Sequence, residues 1–370
     1  MTPQVRRRPL SAALTWTTAV PVLALVVLAL TWGRYLPAVL SVLVAVVLIG
    51  AVLAAVHHAE VVAHRVGEPF GSLVLAVAVT IIEVALIVTL MISGGDDTAT
   101  LARDTVFAAV MITCNGILGL SILLGALRHG TVSFNAEGTG AALATVTTLA
   151  VLSLVLPTFT TAASGPQFSP GQLAFAAVAS LALYGAFVLT QTVRHRDFFL
   201  PVAEDGRVLT DDDHADPPSA RATLTSLGLL LVALVAVVGL AKVESPAIED
   251  AVAAAGFPQS FVGVVIALLV LLPESIAAAK SARRNRLQTS LNLAFGSAMA
   301  SIGLTIPAIA LATIWLDGPL LLGLGSTQVV LLGVTVVAAV LTVVPGRATR
   351  LQGVVHLALL ASFVFLAVNP

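Results

Sequence analysis

Charge is scarce in this chain. Only 10% of its 370 residues are charged, against about 25% in soluble domains. So few charges cannot solvate the surface of a globular protein, which excludes a soluble domain. A basic excess is missing too. Lys and Arg number 18 against 19 acidic residues, a net charge of −1 that leaves no footprint for nucleic acid. Cysteine occurs once, as Cys114, which excludes an internal disulfide and any cysteine-based zinc site. Cys114 reads as a small packing residue.

Hydrophobicity stands in their place, with 58% apolar residues and a mean hydropathy of +1.04. Runs near the length of a spanning helix fall at 12–32, 36–56, 69–93, 104–127, 139–161, 171–193, 222–241, 258–280, 288–315, 319–344 and 351–369. The expected fold class is therefore an all-α polytopic membrane protein with eleven transmembrane helices. Arg6, Arg7 and Arg8 before the first run mimic a signal peptide. That run, however, spans 21 residues from Ala12 to Trp32, and TWGRYLP after it offers no small-residue cleavage site. It reads as a first span.

The cations support this count. With the N-terminus cytoplasmic, 15 of the 18 Lys and Arg fall inside, and only Arg34, Arg103 and Lys242 fall outside. One missed or extra helix would scramble that bias. The expected location is a multi-pass protein of the inner (plasma) membrane.

One sizeable hydrophilic segment, residues 194–221, separates the first six helices from the last five. Its cluster of Glu204, Asp205, Asp211, Asp212, Asp213 and Asp216 lacks the fixed spacing of a calcium-binding EF-hand loop and reads as a solvated cytoplasmic linker. The domain organisation expected is an N-terminal helix (1–35), a five-helix unit (36–193), the acidic linker (194–221) and a second five-helix unit (222–370).

Within this apolar chain two glutamates stand far from helix ends. Glu83 lies 14 residues after Pro69, or about 21 Å along a helix. Glu274 lies 14 residues after Ser260. A carboxylate at that depth costs several kcal/mol unless protonated, paired or bound to a cation, so its default reading is functional. The third helix runs from inside to outside and the eighth from outside to inside. The two glutamates therefore reach similar depth from opposite faces, as two inverted five-helix repeats with an extra N-terminal helix would place them.

The helix after each glutamate is rich in small and polar residues. Asn115 sits beside Gly116 and Gly119, while Ser297, Ser301 and Thr305 recur every four residues on one face. Their oxygens are suited to a hard cation, although small residues also serve helix packing. Thr80, three residues before Glu83, shares its face. His57, His58 and His64, with Glu60 and Glu68, precede the third helix on the inside. Histidine titrates near neutrality, so Glu60, His64 and Glu68 are pH-sensing or regulatory candidates, against the plainer reading of a solvated juxtamembrane loop.

The stretch AEVVAHRVGEPFGSLVLAVAVTIIEVALIV, from Ala59 to Val88, resembles the first repeat of the calcium/cation antiporter superfamily, in its cation–proton exchanger branch. It keeps the acidic Glu60, Gly67, Gly71 and Glu83. GSAMASIGLTIP, from Gly296 to Pro307, is similar to the stretch that follows the second repeat's glutamate. The HHAEVVAHRVGEPFG segment is like that of bacterial sodium/calcium–proton antiporters. There is one departure. Calcium–proton exchangers usually carry Gly-Asn ahead of each glutamate, where this chain has Val79-Thr80 and Leu-Leu-Pro. Pro273 cannot donate to the carbonyl of Leu269, which is freed as a further ligand.

What the resemblance implies is a secondary active cation/proton antiporter and not an enzyme, with Ca²⁺ exported for protons and Na⁺ or K⁺ as alternatives. Its cation- and proton-binding residues would be Glu83 and Glu274, with Asn115, Ser297, Ser301 and Thr80 completing an oxygen shell. No cofactor is implied; the partners are inorganic cations, protons and the lipid bilayer. A passive channel would not need matched glutamates in inverted halves. An intramembrane protease would need a nucleophile beside a base, and no Ser–His pair is apparent at matching depth. Length and span number fit a transporter that works as one subunit, and oligomeric state is not legible.

Overall fold

The computed structural model describes residues 15–67, 70–94, 99–202, 218–315 and 318–370. The chain folds as α1 (Trp16–Thr31), α2 (Ala38–Val66), α3 (Phe70–Gly94), α4 (Leu101–His129), α5 (Ala136–Phe159) and α6 (Pro170–Arg194). After a short 3-10 turn (Arg196–Phe199) come α7 (Ala220–Ala254), α8 (Phe261–Arg283), α9 (Leu287–Ala312), α10 (Ser326–Val343) and α11 (Arg350–Val368). Among the described residues, ten of these helices are long and apolar enough to cross a membrane, and α1 is shorter, at 16 residues.

Helix ends follow local chemistry. Ser169 caps α6 in a capping box with Gln172, and Pro170 occupies the first turn, where its missing N–H goes unnoticed. Ser219 caps α7 and Asn135 caps α5. Gly67 closes α2 at φ +74, a conformation that side chains resist.

Three boundaries depart from the apolar runs. α2 continues to Val66 and α7 to Ala254, well past the ends expected at 56 and 241. His57, His58, Glu60 and His64 therefore lie on a helix and not in a juxtamembrane loop. Helical hydrogen bonding continues beyond the hydrocarbon because water and neighbouring helices both tolerate it. α10 begins only at Ser326, seven residues later than the run at 319. Residues 318–325 are extended, with Leu320, Leu322 and Leu324 buried on one face. Their backbone N–H groups reach across to other elements, Leu321 to Ala99 O and Leu324 to Leu154 O. Gly318, Pro319, Gly323 and Gly325 disfavour a helix there.

A further departure from all-α is a two-residue antiparallel bridge, Val132–Ser133 with Arg347–Ala348, tying the α4–α5 and α10–α11 connections together. Glu68, Pro69, Arg6 to Arg8 and the acidic linker cluster lie outside the described residues.

The packing is reciprocal between the halves. α2 lies against α7; α9 packs on α3 and α6; α4 packs on α8 and α11. Exchanging the first five-helix set for the second maps each of these contacts onto another. α4 and α9 are the most enclosed spans, and α6 and α11 sit at the periphery. Small residues permit the close crossings: a Cβ on Gly263 would stand 2.8 Å from Thr105 N, and one on Gly303 would stand 2.8 Å from the Tyr184 Cβ. The centre where α3, α4, α8 and α9 meet holds both deep glutamates.

Candidate cation-binding site

A cavity of about 240 Å³ lies among α3, α4, α6, α8 and α9. Glu83 and Glu274 both line it, together with Thr80, Ser297 and Ser301. Five of the six residues expected at the site are thus brought to one space. Glu83 is 3% exposed, and Ser301 Oγ donates to its Oε1 at 2.5 Å. Thr305 lies beside the same carboxylate, its Oγ1 buried without a hydrogen bond of good geometry. Thr80 is one turn before Glu83, and its Oγ1 is likewise buried and unpartnered.

Glu274 approaches from α8, directly after the interior Pro273. Its Oε2 is buried with no hydrogen-bond partner, and it lies within electrostatic range of Glu83. Buried polar atoms are almost always paired. Unpartnered oxygens from two helices, around space wider than a water, are what a cavity made to receive a cation or protons requires. No cluster of three or more acidic, His or Cys residues occurs among the described residues, so any cation here meets two carboxylates and neutral oxygens.

The cavity extends toward the arginine-rich face, where α6 and α8 end and α3 and α9 begin. Gln191, Thr289 and Asn292 line that end. Asn292 Nδ2 donates to Phe199 O at 2.7 Å, and its Oδ1 accepts from Gln288 Nε2 at 2.9 Å. Sequence reasoning left Asn292 out of the site, although it stands one turn before Gly296 and so shares a face with the cavity lining.

Asn115 is a correction. It does not line the cavity but is fully buried between α4, α10 and α11. Its Nδ2 donates to Thr335 Oγ1 at 2.9 Å, and its Oδ1 faces His356 Nδ1 at 3.1 Å. His356 Nε2 meets Thr342 Oγ1 at 3.1 Å, completing a buried polar network. The reason is helical phase. Ala109 of α4 lines the cavity, and six further residues through a π-helical turn at 112–117 carry Asn115 to another face.

The regulatory candidates separate as well. Glu60 is exposed on α2 within electrostatic range of both Lys280 and Glu274. His64 is exposed on the last turn of α2. His58, by contrast, is buried, and its Nε2 lies 2.8 Å from Thr17 O. A carbonyl can only accept, so Nε2 carries the proton, and the residue ties α2 to α1.

At the opposite face Arg103 pairs with Asp104 at 2.8 Å, and Thr100 Oγ1 also donates to that carboxylate at 2.8 Å. Nothing in the hydropathy pattern marked this pair.

The model of the sodium/calcium exchanger protein family matches residues 36–193 and 225–369, two blocks on either side of the linker. The chain belongs to the sodium/calcium exchanger family. Within it, this exchanger-family chain is 47% identical over 362 residues to the protein y4hA of Sinorhizobium fredii, covering 96% of both. It is 38% identical over 348 residues to the sodium-potassium/proton antiporter ChaA of Escherichia coli K12, covering 93% of both. Among solved structures, native YfkE superposes with a TM-score of 0.69 at 17% identity, over 96% of this chain and 99% of that one. The H⁺/Ca²⁺ exchanger CAX superposes at 0.67 with 16% identity, over 94% and 86%. At such identities these two show a shared fold.

Proposed function

We propose that the chain is a secondary active cation/proton antiporter whose exchange site is the pair Glu83 and Glu274. The observation that carries this is their meeting in one membrane-buried cavity, with a hydroxyl donor on one and a bare oxygen on the other. The repeats are read as residues 36–193 and 222–370, inverted about that site, which agrees with the reciprocal packing. With the arginine-rich face cytoplasmic and the chain in the inner membrane, the cavity faces the cytoplasm.

Charge balance gives the mechanism. Two carboxylates carry two negative charges, matched by one Ca²⁺, by one Na⁺ or K⁺ with one proton, or by two protons. Each loading leaves a near-neutral site that can be carried between faces. The empty, doubly charged site pays several kcal/mol of desolvation per ion and stays where it is. Exchange is obligatory for that reason.

Ca²⁺ is the first reading, since paired charge and clustered hydroxyls suit a hard divalent ion. The likeness to ChaA, a sodium-potassium/proton antiporter, favours Na⁺ and K⁺ as the second. A cation panel in everted vesicles separates them. Proton release on adding Ca²⁺ but not Na⁺ or K⁺ supports the first; the reverse supports the second; no cation-dependent proton movement refutes antiport.

A further inference from the structure

At the arginine-rich face a separate crevice, of about 380 Å³, lies where α1 and α7 begin beside the inner part of α2. It shares no lining residue with the cavity that holds Glu83 and Glu274. Its walls include Thr17 of α1, His57 and His58 of α2, and Ser219, Arg221 and Ser226 of α7. Among the described residues that line it, none is acidic. α1 stands outside the two five-helix units, so the crevice exists only because the chain carries this extra helix.

The walls suit an anion. The first N–H groups of a helix have no acceptor within it and carry partial positive charge, and both α1 and α7 begin here. Arg221 adds a full charge. Arg65 brings a second beside the start of α7, where its Nη1 donates to Pro218 O at 3.2 Å. The floor asks for something different. His58 is buried, its Nε2–H is taken up by Thr17 O, and its Nδ1 is buried with no partner. Buried polar atoms are almost always paired, so this acceptor calls for a donor. The third feature is apolar. Thr15 and Thr18 line the crevice, and Val22 and Leu25, each seven residues farther on and so on the same face of α1, are exposed. Trp16, also exposed, marks the level of the lipid head groups.

We propose that the crevice binds a phospholipid head group that carries both a phosphate and a hydroxyl, as phosphatidylglycerol does. The phosphate takes the Arg221 guanidinium, the Ser219 hydroxyl and the N–H groups at the helix starts. The head-group hydroxyl donates to His58 Nδ1, and an acyl chain lies along Val22 and Leu25 of α1. Basic pockets between spans are where such head groups settle. With the arginine-rich face cytoplasmic, the lipid comes from the inner leaflet, and it braces α1 against α2 and α7. Free phosphate shares the charge but has no chain to lie on α1.

The test is lipid binding to the delipidated full chain in detergent, titrated by native mass spectrometry. Arg221→Gln should weaken phosphatidylglycerol about tenfold or more, the worth of a hydrogen bond between charged groups. Arg284→Gln removes the same charge from the end of α8 on the same face and should change binding about twofold or less. Both side chains are exposed, so neither variant threatens the fold. Equal weakening by the two would show diffuse attraction and overturn the site. Phosphatidylmethanol has the same charge without the hydroxyl, and the parent should bind it about fivefold more weakly, the worth of one neutral hydrogen bond. His58→Phe should abolish that difference. Equal affinity of the parent for the two lipids overturns the role of His58 even if that variant does not fold. Displacement of the lipid by excess inorganic phosphate would make this a free-phosphate site and overturn the lipid. Binding seen only after Asp211, Asp212, Asp213 and Asp216 are changed to Asn would make the acidic linker the occupant, and also overturns it. No transport is measured, so the result stands whichever ion the chain exchanges.

Discussion

Glu83→Gln isolates the charge on one carboxylate with little change in shape. Ser301 Oγ donates to Glu83 Oε1, and it can donate equally to the amide oxygen of glutamine, so the helix contact survives. What is lost is a negative charge on a group 3% exposed. For Ca²⁺, which carries two charges, about 2.4 Å from a carboxylate oxygen, the attraction at an effective dielectric near 20 is about 14 kcal/mol. Most of that is offset, because the variant no longer buries a charge when empty and its amide oxygen can still ligate the ion. A net loss on the order of 3 kcal/mol corresponds to about 100-fold weaker Ca²⁺ handling at 1.36 kcal/mol per tenfold. The assay is Ca²⁺-driven proton movement in everted vesicles, with expression and monodispersity measured alongside. Exchange within about threefold of the parent would falsify the assignment of Glu83, since no dielectric compatible with such burial makes the charge that weak.

Other outcomes follow from the same contacts. Ser301→Ala removes the donor to Glu83 and should raise the half-saturating cation concentration about tenfold, the worth of one hydrogen bond to a charged group; a cation titration of vesicle exchange reads it. Asn115→Ala removes the hydrogen bonds from Asn115 to Thr335 and His356 and should cost about 1–3 kcal/mol of stability. Its thermal midpoint should fall while the half-saturating cation concentration stays unchanged, and a large change in that concentration would return Asn115 to the site. Gly303→Val forces a side chain into Tyr184, where even a Cβ would stand 2.8 Å away, and should cost about 1–3 kcal/mol by overpacking. A midpoint equal to the parent's would show that α6 and α9 are not held as closely as described.

Much of this protein is legible in its sequence because lipid is an unforgiving solvent. Every buried backbone group must bond within its own helix, so the spans stand out as apolar runs, and a glutamate at depth stands out against them. Glu83 and Glu274 could be picked from composition and spacing alone, as could Ser297 and Ser301 from their four-residue recurrence. Hydropathy says nothing, however, about which way a helix is turned. Asn115 and Asn292 look alike in the chain. The phase of α4 through its π-helical turn sends Asn115 toward His356, whereas α9 turns Asn292 toward the cavity. Residues 318–325 are as apolar as a span, yet Leu321 and Leu324 find backbone partners on other elements and the segment stays extended. His58 became a buried tie only once α2 outran the apolar stretch and met α1. The sequence by itself determined how many helices there are and how deep their carboxylates lie, because those depend on transfer from water to lipid. The tertiary structure alone decided which faces meet, because that depends on what each neighbour presents.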